Sequence, residues 1–368
     1  MANKKKISVP IVVAISFIIY GAVAARPVLE EPALAPRWIS SLNSEGPTHL
    51  SEQAPGFDGR TLPFAIGGRF GYVAMDGELP LNRPGSDNAW VSADRWAEFD
   101  PVPDVLTVNG ADGSAPVVID NPGGYPFFLA GRTFVMGRGQ DSVSRFSDSG
   151  ERLWTFDFPG IVTVVDASEE LLAVGTLDGQ LVVVDDSGRQ VFAFEPGGSR
   201  LSLILGLALS DDGSRIGLIS GLDSQRFLLL ERLGGGQREY RVVYHEFVGE
   251  GFRRPVQIVF LEGDRRLVFE RPGGLGIYDT ALRRSSRMDI PGELVALDGS
   301  GGRETLFAVF GRPDILQMEL LGIRIGGIDP VIIISAPFKS GEVFLGRVDE
   351  RLILGNSQAL VAFDLEKR

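Results

Sequence analysis

Paired turn signals recur along this chain at the spacing of short strands, and that spacing constrains its fold more than any other feature. In "AVGTLDGQLVVVDDSGRQVFAFE" (173–195), Asp178-Gly179 and Ser187-Gly188 stand nine residues apart between apolar strand-formers. Asp-Gly and Ser-Gly favour tight hairpins because the turn needs positive φ, which Gly tolerates freely and Asp better than most residues. About seven residues remain for each strand, near the modal length of ~5–6. Strands over 171–176, 181–185 and 191–194 then run up, down and up. A sheet this small cannot bury both of its faces alone, so it is one unit of a larger array.

Related units follow. "VSRFSDSGERLWTFDF" (143–158), "LILGLALSDDGSRIGLISG" (203–221), "VQIVFLEGDRRLVFERPGGLGIYDTALRRSSRMDI" (256–290) and "ELVALDGSGGRETLFAVFG" (293–311) repeat the strand–turn–strand pattern. "EVFLGRVDERLILGNSQALVAFDLEK" (342–367) is the last and ends after three strands. Unit starts near Ser114, Gly160, Gly197, Arg253, Gly292 and Ser340 lie roughly 37 to 56 residues apart, around the length of a propeller blade. A less regular unit precedes them, with "LPFAIGGRFGYVAMDGEL" (62–79) completed by "AWVSADRWAEF" (89–99) and "DVLTVNG" (104–110). The expectation is therefore an all-β chain forming a β-propeller of seven four-stranded blades. "RWISSL" (37–42) belongs to no other unit and would complete the last blade, closing the ring and hiding two sheet edges. A pair of β-sandwiches or a solenoid would not return four-strand units at this interval.

Composition agrees. The 368 residues include 47 Gly and 22 Pro, well above the usual combined share of about 12 %, yet 44 % are hydrophobic. Apolar sequence divided by many turn residues is an all-β signature. The net charge is −12, and Lys4, Lys5 and Lys6 are the only charges in the first 25 residues, so the body is more acidic still. Such a body repels phosphate backbones, which argues against a nucleic-acid partner. Cysteine is absent, which removes disulfides, thiolate nucleophiles and cysteine-ligated metals.

The N-terminus reads as an export signal. "MANKKKISVPIVVAISFIIYGAVAAR" joins a tri-lysine start to an uncharged apolar run over 7–25, ending in the small-x-small pattern Ala22-Val23-Ala24. The run approaches the ~20 residues that cross a bilayer as a helix. One N-terminal apolar helix is expected over 1–25, either a signal peptide cleaved between Ala24 and Ala25 or an uncleaved inner-membrane anchor. A Pro-rich tether (26–37) and a propeller domain (38–368) complete the expected organisation, with the body outside the cytoplasm in a periplasm.

Segments 174–194 and 145–158 resemble the PQQ-type propeller repeat, in which an Asp-Gly turn, an apolar strand and an Asp-x-x-Gly turn lead to a closing tryptophan. "LALSDDGSRIGLIS" (207–220) resembles a WD40-like blade, with Asp211 where proline would stand. The resemblance implies the fold. Its enzymatic branch, the quinoprotein dehydrogenases, holds PQQ with a vicinal disulfide and calcium. Here cysteine is missing, and Phe194 replaces the closing tryptophan that Trp154 keeps. No cofactor is therefore expected. Many exported propellers of this kind are non-catalytic interaction platforms, so an envelope protein partner is expected.

The search for chemistry is short. His49 and His245 are the only histidines, too few for a three-histidine zinc site, and no Gly-x-Ser-x-Gly elbow occurs. Asp178, Asp185, Asp186, Asp211, Asp212 and Asp264 all fall at expected turns, where hairpins want them anyway. The competing reading is a propeller enzyme or small-molecule binder, either a glycan-acting hydrolase built on two convergent carboxylates or a degenerate quinoprotein. An open polar funnel would favour it, and a funnel filled by Val, Leu and Phe would oppose it. The arginine pairs 253–254, 265–266 and 283–284 read as solvated turn and edge charges. The segment 82–104 is the least regular and carries Trp90, Arg95 and Trp96, residue types enriched where partners dock. These three form the expected partner-contact patch.

Overall fold

The structure, a computed structural model, describes residues 32–43, 60–85, 88–101, 103–233, 239–249, 251–261, 263–299, 305–327, 329–348 and 351–367. The apolar helix expected over 1–25, the Ala24–Ala25 cleavage point and His49 lie outside them. The described residues form eight antiparallel sheets, with one 3-10 turn at Pro313–Ile315 and no α-helix. No helix among them is long and apolar enough to cross a membrane.

Each sheet is a blade. In chain order they span 62–84, 89–120, 124–157, 162–194, 204–249, 258–289, 293–339, and 344–367 joined by 32–41. The count is eight, which corrects the seven expected from the repeats. The irregular stretch read as one blade holds the first blade and three strands of the second, whose fourth strand, Val117–Asp120, lies within the unit read as starting near Ser114. Leu62–Ile66, Arg69–Val73 and Leu81–Pro84 make a three-stranded sheet, and Ala89–Val91, Arg95–Glu98, Val105–Gly110 and Val117–Asp120 make a separate four-stranded one. Strands of three and four residues interrupted by proline carry too few alternating positions to register as periodic.

The fourth blade has the meander that its turns dictate, with Leu171–Thr176, Leu181–Asp185 and Gln190–Phe194 paired in sequence order. Gly188 takes φ 78°, and a Cβ there would meet the Trp154 ring at 2.6 Å. Only glycine fits a left-handed turn pressed against an indole.

Alternation along the strands decides how blades pack. Leu171, Ala173, Leu181 and Val183 pack toward the fifth blade, with Ile204, Leu218 and Leu228. Their neighbours Leu172, Val174, Val182 and Val184 pack toward the third, with Phe127, Phe134 and Val143. Successive side chains leave a strand on opposite faces, so a strand buried on both faces reads as the continuous apolar run seen here. The same construction gives one apolar cluster at each junction between neighbouring blades around the ring, including the junction of the eighth with the first. The ring is closed.

Closure uses the start of the chain. Pro32–Ser41 pairs antiparallel with Ala359–Lys367 as the outermost strand of the eighth blade. It begins inside the segment read as a tether and covers most of "RWISSL". Arg37 Nε bonds Asp364 at 2.6 Å, and Arg351 Nε bonds the same carboxylate at 2.8 Å. Trp38 Nε1 donates to Met75 O at 2.9 Å, and Asn82 Nδ2 donates to Leu42 O at 3.1 Å, which ties the closing strand to the first blade.

The first blade is also reversed. Gly67, following Leu62–Ile66, donates its N–H to Glu342, which precedes the inner strand Phe344–Val348 of the eighth blade. Leu62, at the other end, lies against Gly346. These strands therefore run in opposite directions. Val162–Ala167 and Ile204–Leu209 instead lie start to start and end to end, through Thr163 to Ile204 O and Leu209 N to Asp166. In direction and pairing, the three strands of the first blade match the second, third and fourth strands of the others.

Candidate functional site

Beside the inner strands of the fourth to seventh blades, Val164, Val165, Leu207, Val256, Ile258 and Val259 line a cavity of about 330 Å3 together with Gln257 and Leu297. Consecutive residues such as Val164 and Val165 line it although they pack against opposite neighbouring blades, and no carboxylate or histidine is among the lining residues. Such a lining offers no group to transfer a proton or hold a charge.

The turn carboxylates are engaged locally. Asp185 accepts from Ser187 N at 3.0 Å, Ser187 Oγ at 2.6 Å, Arg189 N at 3.1 Å and Arg189 Nη2 at 2.9 Å. Burial works to raise its pKa, but these hydrogen bonds prevail and hold it well below the carboxylate range. Asp178 accepts from Thr176, and Asp212 caps Ser214 N and Ser210 Oγ at 2.8 Å each. Asp186 bridges Arg132 and Arg145 at 2.6 and 2.9 Å, and Asp264 accepts from Asp211 N at 3.3 Å. Asp166, which follows no turn signal, is different. Burial pushes its carboxyl up to about 6, helped by neighbouring Asp211 and opposed by the N–H groups of Leu209 and Ala167. Both of its oxygens accept those backbone donors, at 2.7 and 2.9 Å, so it splints two blades rather than facing a substrate. Among the described residues, no group of three or more His, Asp or Glu side chains could hold a metal ion.

The patch expected at 90–96 is divided by the fold. Trp90 is exposed, at 41 %. Trp96 is buried between the first two blades, its ring 5.5 Å from Phe70 and 5.3 Å from the Arg83 guanidinium. Arg95 reaches across to the third blade, donating to Gly131 O at 2.7 Å, Thr133 Oγ1 at 2.9 Å and Asp148 at 3.1 Å. Of the three, Trp90 alone presents its ring to solvent. His245 is exposed on the outer strand Tyr240–Gly249.

Arg95 belongs to a set that the sequence reading missed. An arginine opens the second strand in the second, third, fifth, sixth and eighth blades, as Arg95, Arg132, Arg215, Arg266 and Arg351. Arg132 donates to Ser168 O and Leu171 O of the next blade, and Arg351 to Met75 O. Arg266 is buried beside Asp279, which corrects its reading as a solvated edge charge. The signal was present: an arginine followed at once by an apolar run, as in "RLVF" (266–269) and "RLIL" (351–354).

Known proteins share this architecture. A protein of Treponema pallidum (strain Nichols), described as an uncharacterized protein, is 27 % identical over 288 residues, or 77 % of this chain and 75 % of its own. The crystal structure of BamB from Moraxella catarrhalis superposes with a TM-score of 0.59 at 12 % identity, covering 90 % of this chain and all of that one. A chain of a mitotic checkpoint complex gives 0.54 at 13 % identity over 99 % and 98 % of the two chains. The computationally designed Ika8 protein gives 0.64 at 13 % over 88 % and 98 %. At such identities the likeness is one of fold. The family described as "beta-propeller protein" matches residues 1–368, and this chain belongs to it.

Proposed function

We propose that this propeller is an exported binding module of the cell envelope that engages a protein partner and carries out no catalysis. The observation that carries this reading is the cavity beside the inner strands, lined by Val, Leu and Ile with Gln257 where a propeller enzyme would gather charged groups. Of the carboxylates that might have served a glycan-acting site, Asp178, Asp185, Asp186, Asp212 and Asp264 are engaged by turn amides, hydroxyls or arginines. Large apolar groups also stand in water, Phe247 at 59 % and Val331 at 53 % on outermost strands and Trp90 on the inner strand Ala89–Val91. The tri-lysine start and apolar run support export, with the segment 1–25 cleaved or retained at the inner membrane. A propeller chain within a mitotic checkpoint complex loosely fits a protein-binding role.

The test is recovery of partners from gently solubilised envelope with the full-length protein, identified by mass spectrometry. A stoichiometric envelope protein, with peptides before Ala25 either retained or lost, is the expected result. Recovery of nothing, with sugars or quinones binding the purified protein instead, would overturn the reading.

A further inference from the structure

Two clefts meet at Gly292, at the junction of the sixth and seventh blades. One, of about 580 Å3, has Phe310, Met318, Pro337 and Phe338 in its wall, with Arg312 and Lys339. The other, of about 260 Å3, is lined by Arg253, Arg254 and Arg271 together with Glu270 and Glu293. Gly292 has φ 100°, and a Cβ there would lie 2.8 Å from Gly311 O. The residue shared by the two clefts therefore resists carrying a side chain.

The cations are unequally used. Arg254 is committed to Glu270 through two contacts of 2.6 and 3.1 Å. Arg253 is exposed and has no hydrogen-bond or ion-pair partner among the described residues. Arg271 holds its Nη1 buried with no acceptor among them. A buried guanidinium N–H without an acceptor is costly, and a carboxylate is the acceptor whose planar shape fits its fork. Glu319 accepts from Ser335 Oγ at 2.5 Å. Across both clefts, five cations stand against three carboxylates, in a chain whose net charge is −12. This is a local inversion of the molecule's field, joined to an apolar pocket.

We infer that this groove binds an extended acidic peptide segment of a partner protein. A carboxylate enters the cleft of Arg253 and Arg271, and an apolar side chain a few residues away packs on Phe310, Met318 and Phe338. Charge complementarity selects an anion, and the apolar cleft selects a peptide over a free anion, since inorganic phosphate would leave that cleft empty. The inference rests on the protein-binding reading above and assigns it a surface.

The experiment is selection from a displayed random heptapeptide library with the full-length protein, followed by fluorescence anisotropy on the recovered peptides. Sequences pairing Asp or Glu with Leu, Phe or Met are expected, with affinity that falls as salt rises. Arg253→Glu combined with Lys339→Glu changes two exposed side chains, and thermal unfolding checks that the fold survives. The double variant should bind at least tenfold more weakly. Recovery of no acidic class, binding unchanged in the double variant, or displacement by inorganic phosphate alone would overturn the inference. If the envelope partner is recovered equally by the double variant, the binding-module reading stands and this groove falls. If acidic peptides bind here while the envelope yields nothing, the groove stands and the envelope reading falls.

Discussion

Replacing Arg347 by Met tests how the seventh and eighth blades are joined. Arg347 lies on the inner strand Phe344–Val348, and its Nε stands 3.2 Å from Oδ2 of Asp298, just past Glu293–Leu297. Their side chains are 5 % and 2 % exposed. At 3.2 Å and an effective dielectric constant of ~20, the Coulomb attraction is about 5 kcal/mol. Nη1 also donates to Thr305 O at 3.2 Å. Met keeps an apolar stem near Phe307, over whose ring the guanidinium sits at 5.7 Å, so the loss is mainly electrostatic. Removing one member of a buried pair leaves the other uncompensated, and Arg347→Met should cost about 3–5 kcal/mol. Adding Asp298→Asn removes the stranded charge, and the double variant should recover at least about 2 kcal/mol of the additive expectation. Urea unfolding followed by tryptophan fluorescence, with m-values compared, measures all four corners of the cycle. Single variants costing under about 1 kcal/mol, or costs additive to within about 0.5 kcal/mol, would refute the argument that this pair is a buried junction.

Trp96→Ala should destabilise by about 3–5 kcal/mol, and Trp90→Ala by no more than about 0.5 kcal/mol. Equal costs in the same unfolding assay would contradict the assignment of one ring to the core and the other to the surface. Arg132→Met strips Ser168 O and Leu171 O of a donor and should cost about 1–3 kcal/mol, with hydrogen exchange rising first at the junction of the third and fourth blades. Asp166 gives a pH signature. Its folded pKa of about 6 lies above an unfolded value of ~3.9, so between these values the folded state holds a proton that the unfolded state has released. Stability should therefore fall as pH rises from ~4 to ~6, by roughly 3 kcal/mol in all, and stay level above. Asp166→Asn should remove that component of the melting profile, and an unchanged slope would assign it elsewhere.

Much of the fold was legible because its determinants are local. Asp178-Gly179 and Ser187-Gly188 demand hairpins by their φ preferences alone, and the strands between them fall where that chemistry puts them. The blade count was not legible, because the first two blades depend on strands such as Ala89–Val91, too short to show a period. Arg95, Trp96 and Arg266 misled for one shared reason. Arginine and tryptophan carry both apolar surface and hydrogen-bonding groups, so sequence alone does not say whether a protein partner or the next blade will cover them.

By itself, then, the sequence determined an acidic, thiol-free chain of short strands joined by glycine turns. Those strands alternate or run apolar because each must bury one face or two, and both the turn chemistry and the period of two act within a few residues. The number of blades, the reversed first sheet, the arginines that bridge neighbouring blades and the cationic groove at Gly292 were decided only by tertiary structure. Each depends on residues brought together from distant parts of the chain. Ring closure settles those contacts all at once, because no blade can bury its second face until its neighbour is in place.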